Sequence, residues 1–176
     1  YLGLGAACQA GLYFRLKWQG ALASVCIFIT VLCLIALRAS SGLEVILWLI
    51  SIVVLTDVLG YFAGRVIKGP KFWPSVSPKK TWSGVLAGWL GSGICGWLWV
   101  SYGSLPLSAG GAIFFSGALA FASQIGDIGE SALKRRADQK DSSNLLPGHG
   151  GFLDRFDGLV GATIVFAAAN MFMSFG

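Results

Sequence analysis

Charge is what this sequence has least of. Only 12% of its 176 residues are Asp, Glu, Lys or Arg, where an ordinary soluble domain carries about 25%. Histidine occurs once, and the four cysteines (Cys8, Cys26, Cys33, Cys95) lie inside apolar segments without paired metal-ligand spacing. That excludes a zinc framework and leaves them as small buried hydrophobes. There is no GxxxxGK[ST] loop and no GxGxxG strand-to-helix fingerprint, which argues against a soluble-type nucleotide-binding domain. No charged leader precedes the first apolar stretch, and position 1 is Tyr, so we expect a chain whose beginning is missing and no cleavable signal.

What is present in quantity is hydrocarbon: 55% of residues are hydrophobic, gathered in runs near the ~20 residues that cross about 30 Å of bilayer. The expected class is all-α: a polytopic transmembrane helical protein forming a single membrane-embedded domain over 1–176. Residues 1–14 read as the end of a partial helix closed by Arg15 and Lys17. Complete spans follow at 19–37, 43–64, 84–102, 109–136 and 158–175, five in all. The fourth extends beyond the membrane as a charged last part, and 65–83 and 138–157 read as polar loops.

The net charge of +5 reports topology rather than nucleic acid, because the basic residues sit in a few loops. Lys and Arg number two at 15–17, one at 38, five at 65–80, none at 103–108, five at 134–155 and none at the end. The alternation puts the 65–83 and 134–157 loops together on the cytoplasmic side, where they can build one site. Gly84, Gly88, Ser92 and Gly96 form a small-residue stripe suited to close helix approach, with a similar one at Ala118, Ala122 and Gly126. Trp18, Trp73, Trp82 and Trp99 fall near span ends, as interfacial residues do.

Against this background the 27 residues from Ser131 to Asp157 stand out, with five of the thirteen basic residues, four of the eight acids and the single His149. Basic residues alone would mark topology or lipid headgroups. Acids interleaved with them suit a polyphosphate carrying Mg²⁺, whose metal takes carboxylates and whose phosphates take Lys and Arg. Asp57 and Asp127 lie within apolar spans, where an ionisable group costs about 2.5–3.5 kcal/mol. Counting from Arg65 and Lys134, both sit roughly 10–12 Å below their helix ends, a matched depth that suggests one polar cavity. The plainer reading is that each neutralises a buried cation or caps a kink at Gly60 or Gly126. Asp127, Glu130, Ser131 and Lys134 share one helix face, and Glu130 can pair with Lys134. Asp157 suits the positive end of the last helix. His149, among Gly148, Gly150 and Gly151, reads equally as a turn residue or an anion-site residue.

These residues carry a resemblance. Ser131-x-Leu133-Lys134-Arg135, then Lys140-Asp141, then Pro147-x-His149-Gly150-Gly151-Phe152-x-Asp154-Arg155-Phe156-Asp157 resembles the signature of the phosphatidate cytidylyltransferases, also called CDP-diacylglycerol synthases. Asp57-x-x-x-Tyr61-Phe62-Ala63-Gly64-Arg65, Ser77-Pro78-Lys79-Lys80-Thr81-Trp82-x-Gly84 and Gln124-Ile125-Gly126-Asp127 are similar to other segments of that family. The chain departs at Val58-Leu59, where small residues are usual, and at Ser83, where Glu or Gln is frequent.

The resemblance implies transfer of a cytidylyl group from CTP to phosphatidate, giving CDP-diacylglycerol and pyrophosphate, by an N-terminally truncated member. It implies catalytic acids Asp127, Asp154, Asp157 and Asp57, the first two as ligands of Mg²⁺, with a second cation such as K⁺ or another Mg²⁺. Ser131, Lys134, Arg135, Lys140, Asp141, His149 and Arg155 would hold substrate, and Ser77, Lys79 and Lys80 would close the site from the other loop. The implied setting is the bacterial cytoplasmic (inner) membrane with the site facing the cytoplasm, in a homodimer within the lipid bilayer, without nucleic acid. Two rival functions remain at this stage: a CTP-dependent lipid kinase, and a cation transporter lined by Asp57 and Asp127.

Overall fold

Helix α1 runs Leu2–Val66 and is interrupted at one residue, Gly42, whose φ of 85° and ψ of 180° are not helical. The computed structural model describes residues 2–103, 105, 107–136 and 156–174. The break expected between the spans at 19–37 and 43–64 is present as a kink at Gly42, with residues 38–41 helical. The boundary expected at Arg15 and Lys17 is not, because the helix runs through both. Arg, Leu and Lys are good helix formers, and no Gly or Pro interrupts that stretch.

After α1 the backbone turns at Lys68 and Gly69, with φ of 58° and 117°. It then forms two short antiparallel strands, β1 (Lys71–Trp73) and β2 (Ser77–Thr81), with Lys71 opposite Thr81 and Trp73 opposite Ser77. The all-helical expectation is thus amended at one place: the 65–83 loop holds a small sheet. Phe72 packs edge-on against Trp82 at 4.7 Å between ring centroids, and Trp82 N–H donates to Pro70 O at 3.1 Å. Thr81 ends β2 and caps α2 (Trp82–Tyr102), its hydroxyl accepting from Gly84 N–H at 3.3 Å. Ser108 starts α3 (Ala109–Arg136) in the same way, accepting from Gly111 N–H at 3.1 Å. The last element is α4 (Asp157–Ser174).

Small residues set how the helices meet. Built side chains at Gly84 and Gly88 would run into Gly60 and Thr56 of α1, and one at Gly96 into Ala112 and Ser116 of α3. Gly126 and Gly161 leave no room for a Cβ between α3 and α4, where a Cβ on Gly161 would lie 3.0 Å from Gly126 Cα. In each pair the numbers rise on one helix as they fall on the other. The 43–66 part of α1 and helices α2, α3 and α4 are therefore successively antiparallel. The stripe of Gly84, Gly88, Ser92 and Gly96 is buried as expected. Of the second stripe, Ala122 and Gly126 face α4, while Ala118 faces a groove between α2 and α3.

The core lies between α1, α3 and α4. Trp48, Leu49, Ile52, Leu119 and Ala162 are almost wholly buried, and Trp48 donates its indole N–H to Ser116 Oγ at 3.1 Å. Thr56 and Ser92 hydroxyls meet at 2.8 Å between α1 and α2. Such bonds and close backbone packing are what hold helices together where lipid removes the hydrophobic drive between them. Three described helical stretches, Ser24–Val66, Trp82–Tyr102 and Ala109–Arg135, are long and apolar enough to cross a membrane. This is the framework of a membrane protein. Its antiparallel order brings the ends at Val66, Trp82, Arg136 and Asp157 to one side.

Candidate active site

At that side, α1, the β1–β2 hairpin, α2 and α3 enclose a cleft of about 600 Å³. Gly60 and Gly84, where α1 and α2 approach closely, belong to its lining. Asp57 lines the α1 wall, Gln124 and Asp127 the α3 wall, and Thr81 the mouth of α2. The hairpin and the end of α1 add Arg65, Lys68, Lys71, Lys79 and Lys80. A cleft with carboxylates low on the walls and five cations around the rim is suited to a polyanion.

Lys80 reaches down from β2 to Asp127, with Nζ 2.5 Å from Oδ2. Both side chains are only partly exposed, at 22% and 29%, so the pair ties hairpin to helix rather than sitting on a solvated face. Asp57 is open to the cleft and interacts electrostatically with both Asp127 and Lys80. The matched depth counted along the sequence thus brings the two acids to one cavity.

Asp127 is also the centre of an acidic group behind the cleft. Ser131 Oγ donates to its other oxygen at 3.4 Å, one turn along α3. Asp157, at the start of α4, lies within electrostatic range of both Asp127 and Glu130. Its Oδ1 accepts from Gly158 N–H at 2.6 Å, at the N-terminal end of α4. The close approach at Gly126 brings Asp157 there, since a Cβ on Gly126 would lie 2.5 Å from Asp157 O. Glu130 pairs with Lys134 at 3.6 Å, as its spacing predicts.

Four acids therefore gather around two partly buried lysines. Among the described residues no group of three or more His, Cys, Asp or Glu side chains is placed to hold a metal ion. Mg²⁺ asks for less: one or two carboxylates, with water and substrate phosphates completing its octahedron. Asp127 would supply one such carboxylate, and a divalent cation there would relieve the repulsion among the neighbouring acids.

Ser77 lies at the far end of the strand pair, opposite Trp73, and Arg135 is exposed on the last turn of α3; neither lines the cleft. Lys140, Asp141, His149, Asp154 and Arg155 lie outside the described residues. Arg65, Lys68, Lys71, Thr81 and Gln124 were not singled out by reading the sequence for chemistry. The cluster of five basic residues at 65–80 pointed to three of them, but only the hairpin shows which way they converge.

The cytidylyltransferase family matches this chain over residues 12–173. A Brucella abortus protein named phosphatidate cytidylyltransferase is 46% identical over 123 residues, covering 69% of this chain and 44% of that protein. Proteins of the same name from Haemophilus influenzae and Bacillus subtilis are 36% and 39% identical, covering 75% and 66% of this chain and 47% and 43% of their own length. The chain spans less than half the length of the curated relatives it matches.

Proposed function

This chain belongs to the cytidylyltransferase family, and from that we propose that the full-length protein transfers a cytidylyl group from CTP to phosphatidate, releasing pyrophosphate. The observation that carries the reading is the Lys80–Asp127 pair. It joins a cation-rich hairpin to an acid-lined helix at the edge of the membrane region, where a water-soluble triphosphate must meet a lipid phosphate.

In this reaction an oxygen of the lipid phosphate bonds to the α-phosphorus of CTP as the bond to pyrophosphate breaks. The nucleophile is already an anion, so the site needs no strong base; it needs charge neutralisation and in-line placement. Lys79 and Lys80, with Lys68 and Lys71 beside them, face the phosphates from the hairpin. Lys134, Arg135, Lys140 and Arg155 serve from the second loop, with Ser77, Ser131, Asp141 and His149 as further substrate contacts. Asp127 and Asp154 would hold Mg²⁺, with Asp57 and Asp157 beside them and room for a second cation such as K⁺ or another Mg²⁺. Bound there, the metal supplies Lewis-acid neutralisation of phosphate charge. The chain's own part is to hold Lys80 against Asp127 and α1 against α2 beside the substrate.

The chain would act as one catalytic domain with five spans. Two come from α1, whose 43 residues from Ser24 to Val66 are divided at Gly42 and are about twice one crossing. The site would face the cytoplasm from the inner membrane of a bacterium, and the glycine stripes would suit a homodimer. Pyrophosphate release from CTP by the full-length protein tests the reading. It should require phosphatidate and place labelled cytidine in the lipid product. Transfer of the terminal phosphate alone would instead indicate a kinase, and nucleotide-independent ion flux in liposomes a transporter.

A further inference from the structure

A second cavity, about 1040 Å³, lies between α2 and α3 and is lined almost wholly by apolar side chains. On α2 it runs from Leu86 to Trp97, roughly 16 Å at 1.5 Å per residue, close to half of the ~30 Å hydrocarbon thickness. Its rim is open sideways, with Leu90 and Phe114 71% and 72% exposed, so it communicates with surrounding lipid along its length. Gly117 belongs to its lining, and a Cβ there would meet nothing within 4 Å.

The groove adjoins the cleft across the Trp89–Gln124 pair. Val85 lines the cleft and Leu86, the next residue, lines the groove. Trp89, in the groove, donates its indole N–H at 3.0 Å to Oε1 of Gln124, which lines the cleft. Phe121 holds the indole edge-on from α3 at 5.6 Å. One hydrogen-bonded pair is thus the wall between a polar, cation-rimmed chamber and an apolar trough one leaflet deep.

We propose that this groove seats an acyl chain of the lipid substrate, entering sideways from the adjoining leaflet, with the Trp89–Gln124 pair at the junction of chain and headgroup. The proposal rests on the phosphatidate reading above, and it makes the groove a determinant of acyl-chain selectivity. A lipid whose phosphate lies in the cleft must place its chains within one leaflet of it. The groove starts beside the cleft and runs to that depth.

The test uses full-length protein carrying Gly117→Leu or Gly117→Trp, which grow into the open groove. Gly110→Leu is the control, since its Cβ also meets nothing but lies outside the groove. The KM for dioleoyl phosphatidate should rise roughly tenfold with Trp and less with Leu, the scale on which apolar pockets discriminate. The KM values for dihexanoyl phosphatidate and for CTP should stay within about twofold of the parent. An unchanged KM, or an equal rise for both chain lengths, overturns the proposal.

Photolabelling with phosphatidate carrying a diazirine at the acyl terminus gives a readout independent of turnover. Adducts within 86–97 and 113–121, displaced by dioleoyl phosphatidate, support the groove. Adducts elsewhere, or none because another segment of the protein or a second copy covers it, overturn it. If pyrophosphate release proves independent of phosphatidate while these adducts form, the lipid seat stands and the transferase reading fails.

Discussion

Asp127 has the most partners of any acid in the cleft: Lys80 on one oxygen, Ser131 on the other, and Asp57 and Asp157 within electrostatic range. Asp127→Asn keeps its shape and removes its charge. Turnover should fall by about 10²–10³ or more, the usual effect of deleting one electrostatic element at a reacting centre, while membrane expression persists. Near-parent pyrophosphate release from Asp127→Asn would exclude the residue from the reaction. Lys80→Gln tests the other half of the pair and should lower kcat/KM for CTP by a similar order. The double variant should lose much less than the product of the single losses, because residues acting as one unit are not additive. Fully multiplicative losses would show that the pair does not act together. Asp57 and Asp127 were legible in the sequence because an acid in hydrocarbon is anomalous and its depth can be counted from the helix end. Gln124 and Thr81 stand in segments similar to the family but without a role, since a polar residue near a helix end is ordinary until its neighbours across the cleft are known.

At the scale of elements, α1 and α2 are held together by residues with almost no side chain. Gly84→Val would drive a Cβ into the Gly60 carbonyl, and overpacking of this kind costs about 1–3 kcal/mol. The thermal midpoint in detergent should fall, and activity with it, because the α1–α2 contact lining the cleft would open. Gly110→Ala, where a Cβ meets nothing, should leave the midpoint equal or slightly higher, since Ala is the better helix former. Equal midpoints for Gly84→Val and the parent would mean that α1 and α2 do not pack through this contact. Four-residue spacing made the α2 stripe readable in advance. The hairpin was not readable: Pro74 and Pro78 disguise strands of three and five residues, and Pro is ordinarily a mark against a strand. The continuation of α1 through Arg15 and Lys17 was missed for a different reason. Charge marks a membrane boundary, which is a statement about lipid, whereas helix continuity depends on backbone propensity.

For the molecule as a whole, antiparallel succession and charge distribution make the same demand. Gly60 against Gly84, Gly96 against Ala112, and Gly126 against Gly161 force the 65–83 and 137–156 connections to one end. Those connections hold ten of the thirteen basic residues together with the flanking 134–136 turn. A bilayer with a positive-inside bias accepts that arrangement in one orientation. Single cysteines at Ser75 and Ser142, in a full-length protein cleared of its own cysteines, should resist an impermeant maleimide in intact cells and react after the membrane is opened. A cysteine at Ser104, in the uncharged 103–108 segment, should react in intact cells. If Ser75 and Ser142 label from opposite sides, no single cleft can draw on both loops. Lys80 and Asp127 would then remain a structural pair, without the second set of cations that a triphosphate requires.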